Sequence, residues 1–364
     1  MESCFAKPGR AARAGGFGAT LLPGLLTAFW LLAAGGAAAQ SQAQNAQNAA
    51  SPTPLAAPDL ANVVLVTLDG VRWQEVFDGA DPARLPRRLR AGLPATAAAR
   101  RRALLPFLWD SVAGSARRAG GQLFGNRALG SRLDVRNRSR LSYPGYNELL
   151  SGAPDDARIG NNRASDNPNE TVLEAANRAP GLAGRVAAFS TWGAFKRILC
   201  PTRSGVLVDA GRPDGHERAD SLTWLAARAY LARARPRVLF VAFGNTDTEA
   251  HLGHYTGYLA AAHAADRYLA QLWAYLQSQP QYRGRTTLLV TTDHGRGRGW
   301  AWSQHGRWLP GSGQTWLAAR GPGIAPVGEA PAPAQHFQGE LAGLVARCLG
   351  LGFPTAAPVL AVGE

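Results

Sequence analysis

The sequence predicts an α/β fold with a largely parallel central sheet, and three apolar strands carry this prediction. Each is a short run dominated by Val, Leu, Phe and Thr, which is typical of strands buried on both faces of a parallel sheet. The three runs are 61–68, 238–244 and 286–292. An aspartate follows each run, namely Asp69, Asp247 and Asp293. Because open α/β sheets bind ligands at the carboxyl ends of their strands, we expect a site where these carboxylates meet.

The N-terminal segment predicts export. Basic residues precede an apolar run that ends in small residues, which is the order of a secretory signal peptide with cleavage after Ala39. An uncleaved membrane anchor is the alternative, because 14–39 is long enough to span a bilayer, but its Ala-rich end favours cleavage. We therefore predict a periplasmic or secreted protein with a signal peptide at 1–39, a disordered Gln/Ala/Asn-rich linker at 40–58 and one domain at 59–364.

The net charge of +14 suggests a nucleic-acid partner, but the distribution of the basic residues argues against a specific one. The chain has 39 basic and 25 acidic residues, and 39 − 2 = 37 of the basic residues are arginines, since Lys7 and Lys196 are the only lysines. These arginines are spread along the chain and form no stripe with interleaved aromatics. Three cysteines in 364 residues make no disulfide framework, although export would allow Cys200 and Cys348 to pair.

The stretch from Ser139 to Gly152 contains the candidate nucleophile. Pro144 and the glycine after it indicate a tight turn, and 146–151 has the composition of a helical turn. Ser142 is thereby placed just before a helix N-terminus, where backbone N–H groups and the helix dipole favour an anion. The same position also suits a simple N-cap serine.

The other predicted elements complete an alternation of strands and helices. Thr171 is predicted to cap a short helix. Segment 192–236 is longer than an ordinary connection, and we predict it as a small cap insertion that shapes a substrate pocket. The remaining predictions are a surface loop at 85–102, helices at 105–120, 172–178, 256–277 and 337–349, and strands at 185–191 and 315–319.

The candidate ligands suit a pair of metal ions. Two histidines lie close to strand-end aspartates: His251 follows Asp247 by four residues, and His294 follows Asp293 directly. A third, His305, lies further along the same loop. Carboxylate and imidazole together suit Zn²⁺, or Mn²⁺ as a harder substitute. Six such ligands with one serine are enough for two metals about 4 Å apart, a spacing that suits displacement at phosphorus.

These motifs resemble the alkaline phosphatase superfamily, and especially its type I phosphodiesterase/nucleotide pyrophosphatase branch. The resemblance covers 61–349, and its motifs agree in order and spacing. They are Asp69-Gly70, Ser142-Tyr143-Pro144, Asp247-x-x-x-His251, Asp293-His294-Gly295 and His305-Gly306. Asn161 is similar to the asparagine with which the family holds the phosphoryl oxygens, and Asn162 is an equally permissible register.

The resemblance implies a three-layer α/β/α sandwich and an exported two-metal phosphoesterase that acts on a small phosphate ester. It assigns one metal to Asp69, Asp293, His294 and the Ser142 oxygen, and the other to Asp247, His251 and His305. The family mechanism then has the Ser142 alkoxide attack phosphorus and form a phosphoseryl intermediate, which water activated at the second metal hydrolyses. Both metals are expected to be Zn²⁺, with Mn²⁺ as the alternative.

Departures from the family pattern keep other functions open. Ser142 stands where the phosphodiesterase branch has threonine, so the preference for monoesters or diesters is open. Sulfatases have arginine at the position of Tyr146, which disfavours formylglycine formation here. Cofactor-independent phosphoglycerate mutases share the metal ligands, but they have a long second domain after the nucleophile. No segment of that length follows Ser142 here, so a mutase relationship rests on the metal ligands alone. The arginine excess favours a further alternative, a catalytically retired protein that binds polyanions.

Overall fold

The computed structural model describes residues 62–114, 120–163, 165–212, 216–329, 333–356 and 358–360, all of which belong to one compact unit. The predicted signal peptide and linker lie outside the described residues. Among the helices of the described ranges, none combines the length and the apolar character that crossing a membrane requires.

An eight-stranded sheet forms the centre of the fold. Its strands are β1 (Asn62–Leu68), β2 (Gly121–Phe124), β4 (Val186–Ser190), β5 (Leu207–Ala210), β6 (Val238–Phe243), β7 (Thr286–Thr291), β9 (Leu317–Arg320) and β10 (Gly328–Glu329). They are arranged in the order β10-β2-β9-β7-β1-β6-β4-β5, and only β9 runs antiparallel to its neighbours. A smaller sheet has the order β11-β3-β8 and is formed by β3 (Ser131–Asp134), β8 (Gln314–Thr315) and β11 (Ala334–Phe337).

The α-helices cover both faces of the large sheet. They are α1 (Trp73–Asp78), α2 (Arg87–Arg90), α3 (Ala97–Leu104), α4 (Ser142–Ser151), α5 (Val172–Arg178), α6 (Phe195–Ile198), α7 (Pro201–Ser204), α8 (Asp220–Ala234), α9 (Asn245–His251), α10 (Tyr255–Ser278) and α11 (Glu340–Cys348). A π-helix spans Phe107–Ala113, and 3₁₀ helices span Pro82–Arg84, Arg127–Leu129 and Gly299–Ser303.

Alternating side chains of β1 enter two separate apolar cores. Val64 and Val66 lie in a core with residues of α8 and α10, whereas Val63 and Leu65 lie in a core with residues of α4, α5 and α11. Successive side chains of a strand point to opposite faces, so a strand covered on both sides has to be apolar throughout. This arrangement is the predicted three-layer sandwich with a largely parallel central sheet.

The structure corrects the predicted cap at 192–236. Strand β5 in this segment pairs parallel with β4 and forms one edge of the large sheet. Helix α8 from the same segment packs on the sheet through Trp224 and Leu231. These parts of the segment therefore extend the sandwich, because β5 continues the large sheet and Trp224 and Leu231 are buried in its core.

Three local predictions also differ from the structure. The predicted loop at 85–102 contains α2 and most of α3. The predicted strand at 315–319 is divided between β8 of the small sheet and β9 of the large sheet, and β10 and β11 follow it. Pro144 and Gly145 do not form a turn before a helix but lie in the first turn of α4, which begins at Ser142. Proline is tolerated there because the first helical N–H groups have no partner within the helix.

Candidate metal centre

The three strand-end aspartates come together because their strands are neighbours. Strand β1 lies between β6 and β7 and runs parallel to both, with Leu68 paired to Phe243 and Thr67 to Thr291. The three strands therefore end level at one edge of the sheet. Asp69 follows directly, Asp293 follows after one further residue, and the chain after β6 enters the short helix α9, which carries Asp247.

One ligand group is buried, and we call Asp69, Asp293 and His294 the deep group. His294 Nε2 lies 3.4 Å from Asp69 Oδ1 and 3.4 Å from Asp293 Oδ2. Both of these carboxylate oxygens are buried without a hydrogen-bond donor. An acceptor-only oxygen left unpaired in the interior is costly, so these two atoms fit a site for a divalent cation.

The second group is more accessible, and we call Asp247, His251 and His305 the outer group. His251 Nε2 lies 3.3 Å from Asp247 Oδ2 and 3.0 Å from His305 Nε2. The His251 side chain is 41% exposed and that of Asp247 21%. The imidazoles of His294 and His305 stack with their centroids 3.7 Å apart, so the outer group adjoins the deep group.

Two histidines are held with their Nε2 atoms free for a ligand role. His294 Nδ1 lies 2.9 Å from the carbonyl oxygen of Gly295, and His305 Nδ1 lies 2.9 Å from that of Arg140. A carbonyl can only accept, so in each case Nδ1 donates its proton and Nε2 keeps its lone pair. Burial lowers the pKa of His294 and of His305, which favours the neutral imidazole that metals bind.

The structure places Ser142 beside the deep group. Its Oγ lies 3.3 Å from His294 Nε2, and the residue is buried at the first position of α4. Asn162 Oδ1 accepts a hydrogen bond of 2.9 Å from the Tyr143 backbone N–H, so this asparagine lies against the start of the same helix. Asn161 instead accepts from the Arg163 backbone N–H within its own turn. Of the two candidate asparagines, only Asn162 adjoins the serine.

Tyr146 reaches the site, although its role is not visible in the sequence. It stands where sulfatases have arginine, one turn after Ser142 on α4. Its hydroxyl donates a hydrogen bond of 3.2 Å to Asp69 Oδ2 and accepts one of 3.3 Å from Thr67 Oγ1. This position therefore holds a metal-ligand candidate in place and does not present a cation to a substrate.

Asp220 in α8 supports the outer group from behind, and no motif in the sequence indicated this. Its carboxylate accepts hydrogen bonds from the backbone N–H groups of Gly244 and Asn245, at 2.8 and 3.2 Å, and from Thr191 Oγ1 at 2.6 Å. These bonds hold the turn from β6 into α9, two residues before Asp247. Burial raises the pKa of Asp220 to about 6.

We expect Asp220→Ala to destabilise the chain by about 3 kcal/mol, because several buried donors lose their acceptor. Urea unfolding of the metal-free protein measures this loss. Asp110→Ala is the matched control, since Asp110 is 54% exposed and pairs with an exposed arginine, so its removal should change the unfolding free energy by less than about 1 kcal/mol. Equal effects of the two substitutions would contradict a supporting role for Asp220.

The stabilising contribution of the two deep-group carboxyls to the metal-free protein should fall as the pH rises from about 4 to about 7, whereas the buried His294 and His305, whose pKa values are lowered, contribute with the opposite sign. Burial raises the pKa of Asp293 to about 7, and burial together with the neighbouring Asp293 raises that of Asp69. The folded chain thus binds protons that the unfolded chain has already released, so stability is lost as these carboxyls ionise. Bound metal requires the ionised form, so its stabilising effect should grow over the same range.

Thermal unfolding at pH 5 and pH 8, with EDTA or with Zn²⁺, tests this pH dependence. Because the histidines oppose the carboxyls, the comparison is made with Asp293→Asn: in EDTA, the melting temperature of wild type relative to this variant should be several degrees lower at pH 8 than at pH 5. The gap in melting temperature between the Zn²⁺ and EDTA samples of the wild type should be wider at pH 8. The same difference between wild type and Asp293→Asn at both pH values would refute the prediction.

Comparison with known proteins places this chain in a recognised family. A family model described as type I phosphodiesterase/nucleotide pyrophosphatase matches residues 144–335. That span includes the whole outer group together with Asp293 and His294, whereas Asp69 and Ser142 precede it. A comparison with curated protein sequences gave no match.

Solved structures with the same architecture come from several kinds of enzyme. A 2-O GAG sulfatase is 14% identical with a TM-score of 0.55, and the alignment covers 81% of this chain and 72% of the sulfatase. The phosphonate monoester hydrolase of Agrobacterium radiobacter is 15% identical with a TM-score of 0.54, covering 84% and 78%. Murine ectonucleotide pyrophosphatase/phosphodiesterase 5, as an inactive variant with AMP, is 11% identical with a TM-score of 0.54, covering 83% and 99%. At these identities the likeness concerns the fold alone.

Proposed function

The chain belongs to the type I phosphodiesterase/nucleotide pyrophosphatase family, and from that premise we propose that it is a two-metal hydrolase of phosphate esters with Ser142 as its nucleophile. Its fold is that of the alkaline phosphatase superfamily, as the motifs predicted. The observation that carries the proposal is that two buried carboxylate oxygens, Asp69 Oδ1 and Asp293 Oδ2, have no hydrogen-bond donor. Both lie 3.4 Å from His294 Nε2, the nitrogen that also contacts Ser142 Oγ.

The two ligand groups fit two divalent cations. Asp69, Asp293, His294 and the Ser142 oxygen would hold one, and Asp247, His251 and His305 the other. A mixed carboxylate and imidazole set suits Zn²⁺, with Mn²⁺ as the alternative. Bound cations would lower the pKa of the Ser142 hydroxyl and neutralise charge on the phosphoryl oxygens.

The proposed reaction has two stages, the formation of a phosphoserine at Ser142 and its hydrolysis. Ser142 Oγ gives up its proton and attacks phosphorus, so that an Oγ–P bond forms as the P–O bond to the leaving alcohol breaks and the alcohol takes up a proton. Water then attacks the same phosphorus, the Oγ–P bond breaks and the serine hydroxyl is restored. Because Ser142 is buried at the first position of α4, its oxygen is held in one place throughout.

Asn162 is our candidate for orienting the phosphoryl group. Its Oδ1 is engaged by the Tyr143 N–H, so its amide NH₂ faces away from that bond and can donate to a phosphoryl oxygen next to Ser142. The exposed position of Asn162 leaves it open to a substrate. Asn161 has no such contact with the nucleophile helix, and we do not assign it this role.

Two exposed tryptophans support a substrate with an organic group on the ester. Trp300 is 90% and Trp308 82% exposed, and they flank His305 in the chain. The Arg307 guanidinium lies 4.8 Å from the Trp308 ring centre. Large exposed aromatics are typical of surfaces that contact a ligand, and both lie within five residues of His305 in the sequence, so we favour phosphodiesters and monoesters with a large organic group over small monoesters.

The alternative functions make different predictions. A sulfatase would need formylglycine at position 142 and an arginine two residues after Pro144, where Tyr146 instead bonds Asp69. A retired polyanion-binding protein would have no reason to keep two buried carboxylate oxygens unpaired beside a serine. Export remains a prediction from the N-terminal sequence.

We expect purified protein to hydrolyse bis-p-nitrophenyl phosphate and p-nitrophenyl phosphate with Zn²⁺ or Mn²⁺, and to lose this activity by at least about 10²-fold in EDTA. Adding metal back should restore it. The ratio of the two rates reports the ester preference, and p-nitrophenyl sulfate serves as the comparison for a sulfatase. Undiminished turnover in the stripped sample would refute the two-metal proposal.

A further inference from the structure

A buried arginine lies against the outer group and was missed in the sequence. Arg296 follows the Asp-His-Gly motif by one residue, and its side chain is fully enclosed. Its Nη2 contacts Asp247 Oδ1, its Nε donates to the carbonyl oxygen of Gly70 at 3.0 Å, and its Nη1 donates to that of Ser303 at 2.8 Å. All three guanidinium nitrogens are therefore engaged, and the cation is held in one orientation.

The backbone makes room for this contact. A Cβ atom at Gly70 would lie 2.7 Å from Arg296 Nη2 and 3.0 Å from Asp247 Oδ1, and the φ of Gly70 is +62°. Glycine is thus required by both the space and the backbone conformation. The glycine in the turn after Asp69 therefore leaves the space in which the guanidinium reaches Asp247.

The arginine makes the formal charges of the two groups unequal. With neutral histidines and both carboxyls ionised, the deep group has a formal charge of −2, and the Oδ1 of Asp69 and Oδ2 of Asp293 have no donor. The outer group has one carboxylate, and with the Arg296 guanidinium its charge is −1 + 1 = 0. The guanidinium also attracts Asp69 through space rather than through a direct contact. A divalent cation therefore meets two carboxylates without a contacting cation at the deep group and a carboxylate in contact with a guanidinium at the outer group.

We infer that Arg296 makes the two groups unequal metal sites, so that the deep group binds a divalent cation first and tightly and the outer group binds a second one more weakly. This inference rests on the proposed two-metal function. The two imidazoles of the outer group favour Zn²⁺, but the charge difference outweighs them, because unpaired buried carboxylates gain far more from a cation than a carboxylate that has a partner.

Arg296 is also a positioning residue for the outer group in the metal-free chain. Its three contacts link α9, the turn after β1 and the 3₁₀ helix Gly299–Ser303, which precedes His305. These segments are far apart in sequence. The arginine thus fixes the position of Asp247 relative to the loop that carries His305 before the weaker site binds its metal.

Titration of EDTA-stripped protein with Zn²⁺, followed by calorimetry and by metal analysis after dialysis, tests the inference. We expect two binding steps whose dissociation constants differ by about tenfold or more, since ligand charge count tunes metal affinity over such ranges. Asp293→Asn should remove the tight step, and His251→Ala should remove the weak step. Two steps of equal affinity, or the reverse assignment, would overturn the inference.

Substitution of the arginine tests its part directly. Arg296→Gln should narrow the gap between the two dissociation constants, whereas Arg296→Lys, which keeps the charge, should preserve most of it. Arg298→Gln is the matched control, because Arg298 is an exposed arginine two residues further along and should leave both steps unchanged. A folded Arg296→Gln protein, as judged by circular dichroism, with an unaltered gap would exclude the role of Arg296.

The outcomes separate this inference from the proposed function. Two equal sites with metal-dependent ester hydrolysis would remove the inference and leave the function standing. Absence of any metal binding would remove both. If Arg296→Gln does not fold, the wild-type titration with Asp293→Asn and His251→Ala still decides the order of loading.

Discussion

Ser142→Ala is expected to reduce ester hydrolysis by about 10⁴-fold or more, the largest effect of any single substitution in this chain. The alanine lacks the oxygen that forms the bond to phosphorus, and within the described part of the chain no other hydroxyl contacts the imidazole of His294. The fold should be retained, because the change removes one small polar atom at the start of α4. Steady-state rates with a phosphodiester and a phosphomonoester measure the loss.

Ser139→Ala is the matched control for the nucleophile. Ser139 lies three residues earlier, and its hydroxyl donates to the carbonyl oxygen of Gly160 at 2.8 Å, away from the ligand groups. We expect its rate to stay within about twofold of the wild type. Brief incubation with a substrate labelled with ³²P, followed by acid quench, should label the wild-type chain and not Ser142→Ala. Full activity of Ser142→Ala would exclude the covalent mechanism.

Asp293→Asn is expected to remove one bound metal per chain and to lower the rate of hydrolysis by about 10²- to 10³-fold. The substitution keeps the size of the side chain but removes a ligand charge that is fully buried. Metal analysis after dialysis gives the stoichiometry, and steady-state kinetics give the rate.

The metal-free stability distinguishes a ligand role for Asp293 from a structural one. Its pKa is raised to about 7 by burial, so at pH 8 the metal-free chain contains a buried charge that asparagine would remove. Asp293→Asn should therefore melt at the same or a higher temperature than wild type in EDTA at pH 8, while losing activity. A lower melting temperature with unchanged metal content would show that Asp293 is structural. Asp166→Asn, at an exposed ion pair, should change neither property.

Much of the fold follows from local patterns. The strands at 61–68, 238–244 and 286–292 were predicted within two residues, because a strand buried on both faces has to be apolar at every position. The cap of α5 was also predicted, and Thr171 does accept a hydrogen bond from the Glu174 backbone N–H at 3.2 Å. These signals depend on neighbouring residues only.

Elements that depend on distant partners were not predictable in this way. The segment 192–236 was predicted as a cap, but β5 is placed by its pairing with β4. The pairing of Cys200 and Cys348 was left open, and both are buried free thiols in the structure. In each case the outcome depends on which surfaces meet, and a linear pattern does not contain that information.

Strand periodicity is a local property, and it predicts the class of fold; the motifs predict the family and the chemical types of the candidate ligands through their resemblance to known proteins. The three-dimensional contacts were needed to show that Asn162 rather than Asn161 lies against the Ser142 helix, that Tyr146 and Asp220 support the ligands, and that Arg296 contacts Asp247. Such contacts join residues that are distant in the sequence, because hydrogen bonding and charge compensation act through space. Their partners are brought together by three parallel strands that end at one edge of the sheet.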